Sequence, residues 1–96
     1  MATIDIRRPH NVGRDVAKQK AEELAKSLEE KIGIRWSWER DTIEFDVPSG
    51  AAKGASGTVD VDASAVRVQI DLPFLLRAVK GTIESKVNKK LDDLLG

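Results

Sequence analysis

The sequence contains no cysteine, no tyrosine, one histidine and three prolines among its 96 residues. Without cysteine there can be no disulfide bond, thiolate zinc site or thiol nucleophile, so packing must hold the fold together. One histidine cannot build a three-histidine or His-Glu-x-x-His metal centre. Because no nucleophile, base and orienting acid suggest themselves either, we expect a protein that is not an enzyme and that uses no metal or cofactor.

An excess of charge of one sign and a long apolar run are also missing. The 16 Lys and Arg residues are balanced by 16 Asp and Glu residues, so no global field would attract nucleic acid. No run approaches the roughly 20 apolar residues of a membrane helix, and Met1 to Arg8 lack the apolar segment of a secretion signal. We therefore expect a cytoplasmic protein with no nucleic-acid partner and no membrane span.

The proportions of apolar and charged residues indicate one folded domain that spans residues 1–96. Hydrophobic residues make up 41% of the chain and charged residues 33%, which is enough apolar material for a core at this length. A disordered chain would contain fewer apolar residues.

Alternation of apolar and polar residues predicts five strands. The predicted segments are 3–7, then a hairpin of 34–38 and 43–47, then a second hairpin of 59–61 and 66–70. Because each segment keeps its branched or aromatic residues on one side, we expect an antiparallel sheet with one wet face. Between the hairpins, residues 48–57 include three glycines and almost nothing to bury, which indicates a flexible loop.

Helical periodicity predicts two amphipathic helices that cover the dry face of the sheet. The first runs from about Val12 to Ile32, where Gly33 could end it, and the second follows Pro73 and runs to about Leu95. The second helix has a longer apolar stripe, so we expect it to carry most of the core: Leu76, Val79, Ile83, Val87, Leu91 and Leu94. The predicted fold is α+β with the order β-α-β-β-β-β-α and a curved sheet.

Arg7, Arg8 and His10 lie at the junction between the first strand and the first helix. Two guanidinium groups, an imidazole and nearby helix N–H donors could together hold an anion. The alternative is that His10 caps or packs against the start of the helix, which is the more common role of a lone histidine at such a junction.

Trp36, Trp38 and Phe45 hold most of the aromatic surface of the chain. They share a side with Ile34, which favours a core position. The alternative is an apolar cleft between the sheet and the last helix, lined by these three residues and Ile83.

The last helix has a second face that consists of Phe74 and small residues. At 100° per residue, Phe74, Ala78, Gly81 and Ser85 cluster away from the core stripe, with Leu75 beside them. Gly81 costs roughly 1 kcal/mol relative to alanine in a helix interior. It could be a tolerated surface glycine, or this face could receive a partner helix or a second copy of the chain.

Two segments of the sequence resemble a known family. They are Ile4-Asp5-Ile6-Arg7-Arg8-Pro9-His10 and the stretch from Leu72 to Glu84, which includes Phe-Leu-Leu-Arg-Ala-Val-Lys-Gly. With the Trp-bearing hairpin between them, the chain resembles the polyhydroxyalkanoic acid system proteins along nearly its whole length. This resemblance implies an association with polyhydroxyalkanoate synthesis, turnover and granule-surface proteins, and it transfers no catalytic residue. The element order also resembles a reduced helix-grip fold.

The resulting hypothesis is a non-enzymatic accessory protein of the polyhydroxyalkanoate granule system. Its partner would be a granule-surface protein, the polymer itself or a second copy of the chain. The alternative hypothesis is a small module that binds an acyl chain in a cleft of helix-grip type.

Overall fold

The computed structural model describes residues 3–50 and 52–95, and its elements follow the predicted order. The strands are β1 (Ile4–Pro9), β2 (Arg35–Glu39), β3 (Thr42–Asp46), β4 (Ser56–Val61) and β5 (Ala65–Asp71), with helix α1 (Arg14–Ile32) between β1 and β2. A 3₁₀ helix (Phe74–Val79) follows β5 and leads directly into helix α2 (Lys80–Leu95). The predicted α+β class is confirmed.

The five strands form one antiparallel sheet in the order β1-β5-β4-β3-β2. The register aligns one apolar row across all five strands: Ile6, Val68, Val59, Ile43 and Trp38. On the side of the sheet that carries this row, Arg8 of β1 hydrogen-bonds helix α2. On the same side, the indole N–H groups of Trp36 and Trp38 on β2 hydrogen-bond helix α1. Both helices therefore cover the same face, as the alternation of the strands predicts.

Helix α1 lies over β3 and β4, close to the middle of the sheet. Its apolar stripe buries Ala17, Ala21, Leu24 and Ala25, and the two alanines nearest its start let the helix approach the strands closely. Gly33 ends the helix in the left-handed conformation, with φ at 81°, and its N–H bonds the carbonyls of Leu28 and Glu29. This C-cap was predicted from the sequence.

Helix α2 carries less of the core than its sequence predicts. It packs against β1, at the edge of the sheet, and against α1, so only Val87 and Leu91 become fully buried. Val79 stays 44% exposed, and Ile83 is half-buried. The expectation that α2 is the main core helix is wrong, because α1 already occupies the centre of the sheet.

The connection between β3 and β4 is shorter than the predicted loop of residues 48–57. Ser56 and Gly57 already belong to β4, and Val47 bonds Ala55 through its N–H and Gly54 through its carbonyl. Ala55 is buried in the core. The irregular part is therefore confined to residues 48–54, of which Ala51 lies outside the described residues.

The outer face of the sheet is polar and bears ion pairs between neighbouring strands. Arg67 on β5 donates two hydrogen bonds to Asp5 on β1, at 3.0 and 2.7 Å. Arg35 on β2 pairs with Asp46 on β3 at 2.7 Å. These contacts occupy the wet face that the strand pattern predicts, on the side opposite the helices.

Candidate functional site

The 3₁₀ helix between β5 and α2 carries the two most exposed of the large apolar side chains in the part of the chain that the structure describes. Phe74 is 82% exposed and Leu75 is 86% exposed, while the following Leu76 packs partly against the core. Pro73 has an extended ψ of 158° and its carbonyl accepts a hydrogen bond from Leu76 at 2.9 Å, which starts the 3₁₀ turn. Two adjacent large apolar side chains that are nearly uncovered form an exposed apolar patch, which makes them a candidate contact surface.

The 3₁₀ geometry changes which residues share a side. A 3₁₀ helix has three residues per turn, so residues i and i+3 align. Leu76 and Val79 therefore lie on one side, and Leu75 and Ala78 lie together on another. The predicted alignment of Phe74 with Ala78 assumed an α-helix from the start, and the tighter turn separates them by roughly 120°. The predicted partner surface is thus split into an apolar tip, Phe74 and Leu75, and a flank.

The flank consists of Ala78, Gly81 and Ser85, all of which are exposed. A Cβ atom added at Gly81 would meet nothing within 4 Å. Nothing within the described chain therefore requires glycine at this position. The apolar tip, rather than the small-residue flank, is the distinctive part of this surface.

Arg7, Arg8 and His10 do not converge on a common point. Arg7 lies exposed on the outer face of β1, whereas Arg8 projects toward α2 and bonds Asp92 and Asn88. His10 is 8% exposed and both of its ring nitrogens contact the main chain. The structure therefore does not assemble the anion site, because alternate residues of a strand project to opposite faces.

His10 nevertheless lies close to an aspartate and a serine. Its Nδ1 accepts the Val12 N–H at 3.3 Å, so Nε2 carries the proton and donates to the main-chain carbonyl of Asp62 at 3.1 Å. The Asp62 carboxylate accepts the Ser64 hydroxyl at 3.3 Å and the N–H groups of Ser64 and Ala65. These two N–H bonds hold the pKa of Asp62 below its ordinary value. The arrangement closes the turn between β4 and β5 and leaves the imidazole bonded to the backbone rather than to the serine.

Trp36, Trp38 and Phe45 line the sheet beneath α1 rather than a cleft beneath α2. The indole N–H of Trp36 bonds Glu29 at 2.8 Å, and that of Trp38 bonds Glu22 at 3.0 Å. Lys18 lies 4.8 Å above the Trp38 ring. Phe45 covers Gly57 on the adjacent strand, and Ile83 lies on α2. The structure does not bring the four proposed cleft residues together, which favours the core interpretation of the aromatic residues.

A groove of about 670 Å³ lies between α1 and α2, and sequence analysis did not identify it. Its apolar lining includes Leu24, Leu28 and Ile32 from α1, Val79 from the 3₁₀ helix, and Ile83 and Val87 from α2. Four lysines also line it: Lys31, Lys86, Lys89 and Lys90. The sequence does show the lysines that flank the apolar stripe of α2, and they could have indicated such a groove. Only the tertiary structure shows that Lys31 and the apolar side chains of α1 face them.

Over 3–50 and 52–95, no three histidine, cysteine or acidic side chains are grouped so that they could hold a metal ion. No helix formed by these residues has both the length and the apolar character needed to cross a membrane.

Comparison with known proteins agrees with the resemblance seen in the sequence. A family model described as "Putative polyhydroxyalkanoic acid system protein" matches residues 4–95, from the start of β1 to the end of α2. No curated protein and no solved structure matches the chain. The apolar tip and the groove both lie within the matched residues.

Proposed function

The chain belongs to the family of polyhydroxyalkanoic acid system proteins, and we propose that it is a non-enzymatic accessory protein that attaches to the polyhydroxyalkanoate granule surface. Attachment occurs through the apolar tip, Phe74 and Leu75. The observation that carries this proposal is the exposure of these two adjacent side chains, 82% and 86%.

The magnitude of the expected interaction fits reversible attachment. Complete burial of one large apolar side chain contributes about 1.5–3 kcal/mol, so the two together contribute about 3–6 kcal/mol before ordering costs. A single acyl anchor in this range gives marginal, reversible binding to an apolar surface. An aliphatic polyester, or an apolar patch on a protein that coats it, presents such a surface.

The environment of His10 supports a role without catalysis. A general base needs a free acceptor nitrogen within reach of the group it deprotonates. Here Nδ1 already accepts the Val12 N–H, and Nε2 faces the Asp62 carbonyl. The histidine, Asp62 and Ser64 thus have a structural explanation, as the closure of the turn at one end of the sheet.

A flotation experiment with matched variants tests the proposal. Purified wild-type protein, the double variant Phe74→Ser/Leu75→Ser and the control Val12→Ser/Val16→Ser are each mixed with isolated granules and with protein-free polymer particles. Val12 and Val16 are also apolar and surface-exposed, at 38% and 39%. We expect wild type and the control to float with granules and the Phe74/Leu75 variant to remain behind, with circular dichroism verifying that all three fold.

The comparison of native granules with protein-free particles distinguishes binding to the polyester from binding to a protein that coats the granule. Flotation with polymer alone identifies the polyester as the partner, and flotation with native granules only identifies a granule protein. Wild-type protein that floats with neither contradicts the proposal. Loss of binding in the Val12/Val16 control would also contradict it, because the tip would then not be the specific contact.

The homodimer hypothesis places a second copy of the chain on the flank, Ala78, Gly81 and Ser85, and on the adjoining apolar tip. It predicts that the mass of the wild-type protein in solution rises with concentration and that Ala78→Arg or Gly81→Arg prevents this. A mass that stays that of a monomer across concentrations removes self-association as an alternative to granule attachment.

A further inference from the structure

The groove between α1 and α2 combines an apolar lining with four lysines at its rim. Among the residues that the structure describes, Lys18, Lys20 and Lys26 each have a carboxylate oxygen within 4.0 Å. Over the same residues, the four groove lysines form no such ion pair, and Asp93 is the only acidic residue lining the groove. Although the total charge of the chain is balanced, the groove therefore carries a local excess of positive charge, with four lysines and one aspartate in its lining.

The apolar lining of this groove is partly uncovered. Ile32 is 43% exposed and Val79 is 44% exposed, although both belong to apolar stripes that otherwise face the core. Their exposed surfaces meet the buried Leu24 and Val87 within the same groove. An apolar ligand seated there would continue the hydrophobic core outward and cover side chains that the fold leaves open to water.

From these observations we infer that the groove binds a linear aliphatic carboxylate, with the alkyl chain on the apolar lining and the carboxylate at the lysines. The volume of about 670 Å³ falls within the range of small-molecule sites. Lysine ammonium groups on flexible stems suit a carboxylate at a water-exposed rim, where a single charged group needs no rigid bidentate partner. This inference concerns a site different from the apolar tip and does not depend on granule attachment.

The test uses dodecanoate below its micelle-forming concentration, titrated into the full chain and followed by backbone amide chemical shifts. Dodecanol and dodecyltrimethylammonium have the same alkyl chain with a neutral and a cationic head. We expect dodecanoate to shift amides of both helices around Leu28 and Ile83 in a saturable way, and the other two compounds to bind at least about tenfold more weakly.

Variants of the rim and of the lining separate charge from apolar contact. Lys86→Glu/Lys90→Glu should weaken dodecanoate binding by about tenfold or more, whereas Lys53→Glu/Lys80→Glu, with the same charge change outside the groove, should change it little. Ile32→Asn/Val79→Asn places polar groups on the lining at sites already nearly half exposed, so the fold is retained and binding to all three compounds should fall.

Several outcomes would overturn the inference. They are an absence of saturable shifts, equal affinity for dodecanol and dodecanoate, or shifts that map outside the two helices. Groove amides that shift with protein concentration alone would also overturn it, because a second copy would then cover the groove. Granule flotation of the Lys86/Lys90 variant distinguishes this inference from the proposed function, since that variant retains the apolar tip.

Discussion

Glycine has opposite roles at two positions of this chain. Gly57 lies in β4 beneath the ring of Phe45, and a Cβ atom there would come within 2.2 Å of the Gln69 carbonyl oxygen and 2.7 Å of the Phe45 ring. Gly81 lies near the start of α2 with open space around it. Hydrophobic periodicity cannot distinguish these positions, because the difference comes from neighbours on other strands.

We predict that Gly57→Ala and Gly81→Ala change stability in opposite directions. Gly57→Ala should lower the free energy of unfolding by at least about 2 kcal/mol, because the backbone of β5 and the Phe45 ring must both move. Gly81→Ala should raise it by up to about 1 kcal/mol, because alanine favours the helix and restricts the unfolded chain. Urea denaturation measures both, and a stable Gly57→Ala variant would contradict the packing of Phe45 over β4.

At the scale of elements, the two helices divide the core unequally. Helix α1 buries four residues over the middle of the sheet, whereas α2 buries two beside β1 and exposes the others in part. Both apolar stripes are visible in the sequence. Because the stripe of α2 is longer, the sequence suggests that α2 contributes more to the core than α1, which is the reverse of what the structure shows. Which helix occupies the centre depends on strand order, since β3 and β4 lie inside the sheet and β1 lies at its edge.

We predict that truncations on the two helices reflect this division. Leu24→Ala should lower the free energy of unfolding by about 2–5 kcal/mol, because Leu24 is fully buried and its loss leaves a cavity. Ile83→Ala should cost clearly less, since Ile83 is half-buried at the groove and water can fill the space. Chemical denaturation of both variants beside wild type tests the order. A larger loss for Ile83→Ala would restore α2 as the main core helix.

At the scale of the whole molecule, carboxylates at strand pairs and at a turn connect stability to pH. Hydrogen bonds from the side chains of Arg67 and Arg35 lower the pKa values of Asp5 and Asp46, respectively. The N–H groups of Ser64 and Ala65 lower the pKa of Asp62. Each lowered pKa means that the folded state binds the proton more weakly than the unfolded state, for which the ordinary value is 3.8.

We predict that the stability from these contacts is fully present above the ordinary pKa of 3.8 and is lost as the pH falls through the lower pKa values of the folded protein. The measurement is the urea midpoint from about pH 6 to about pH 2, for wild type and for Asp5→Asn/Asp46→Asn/Asp62→Asn. The variant should be less stable at neutral pH, and the two curves should converge in acid. A difference that stays constant with pH would show that these carboxylates do not produce the dependence.

Local patterns in the sequence determined much of this protein. Alternation in the strands and the stripe of α1 depend on side chains a few residues apart, and so do the Gly33 cap and the start of a helix after Pro73, which is why sequence and structure agree there. The exposure of Phe74 and Leu75 also agrees with the face that the sequence placed away from the core, although their alignment with Ala78 does not.

Only the tertiary structure decided which elements and side chains each of these local patterns packs against. It paired Arg8 with Asn88 and Asp92 of α2, and it placed the aromatic residues beneath α1 instead of beside Ile83. It also brought Lys31 to the lysines of α2 around one apolar groove. The physical reason is that strand order and helix placement bring together residues that no local periodicity relates, such as Arg8 with Asn88 and Asp92, which lie 80 and 84 positions away. For the same reason the apolar tip could be predicted as a surface from the sequence, whereas the groove could not.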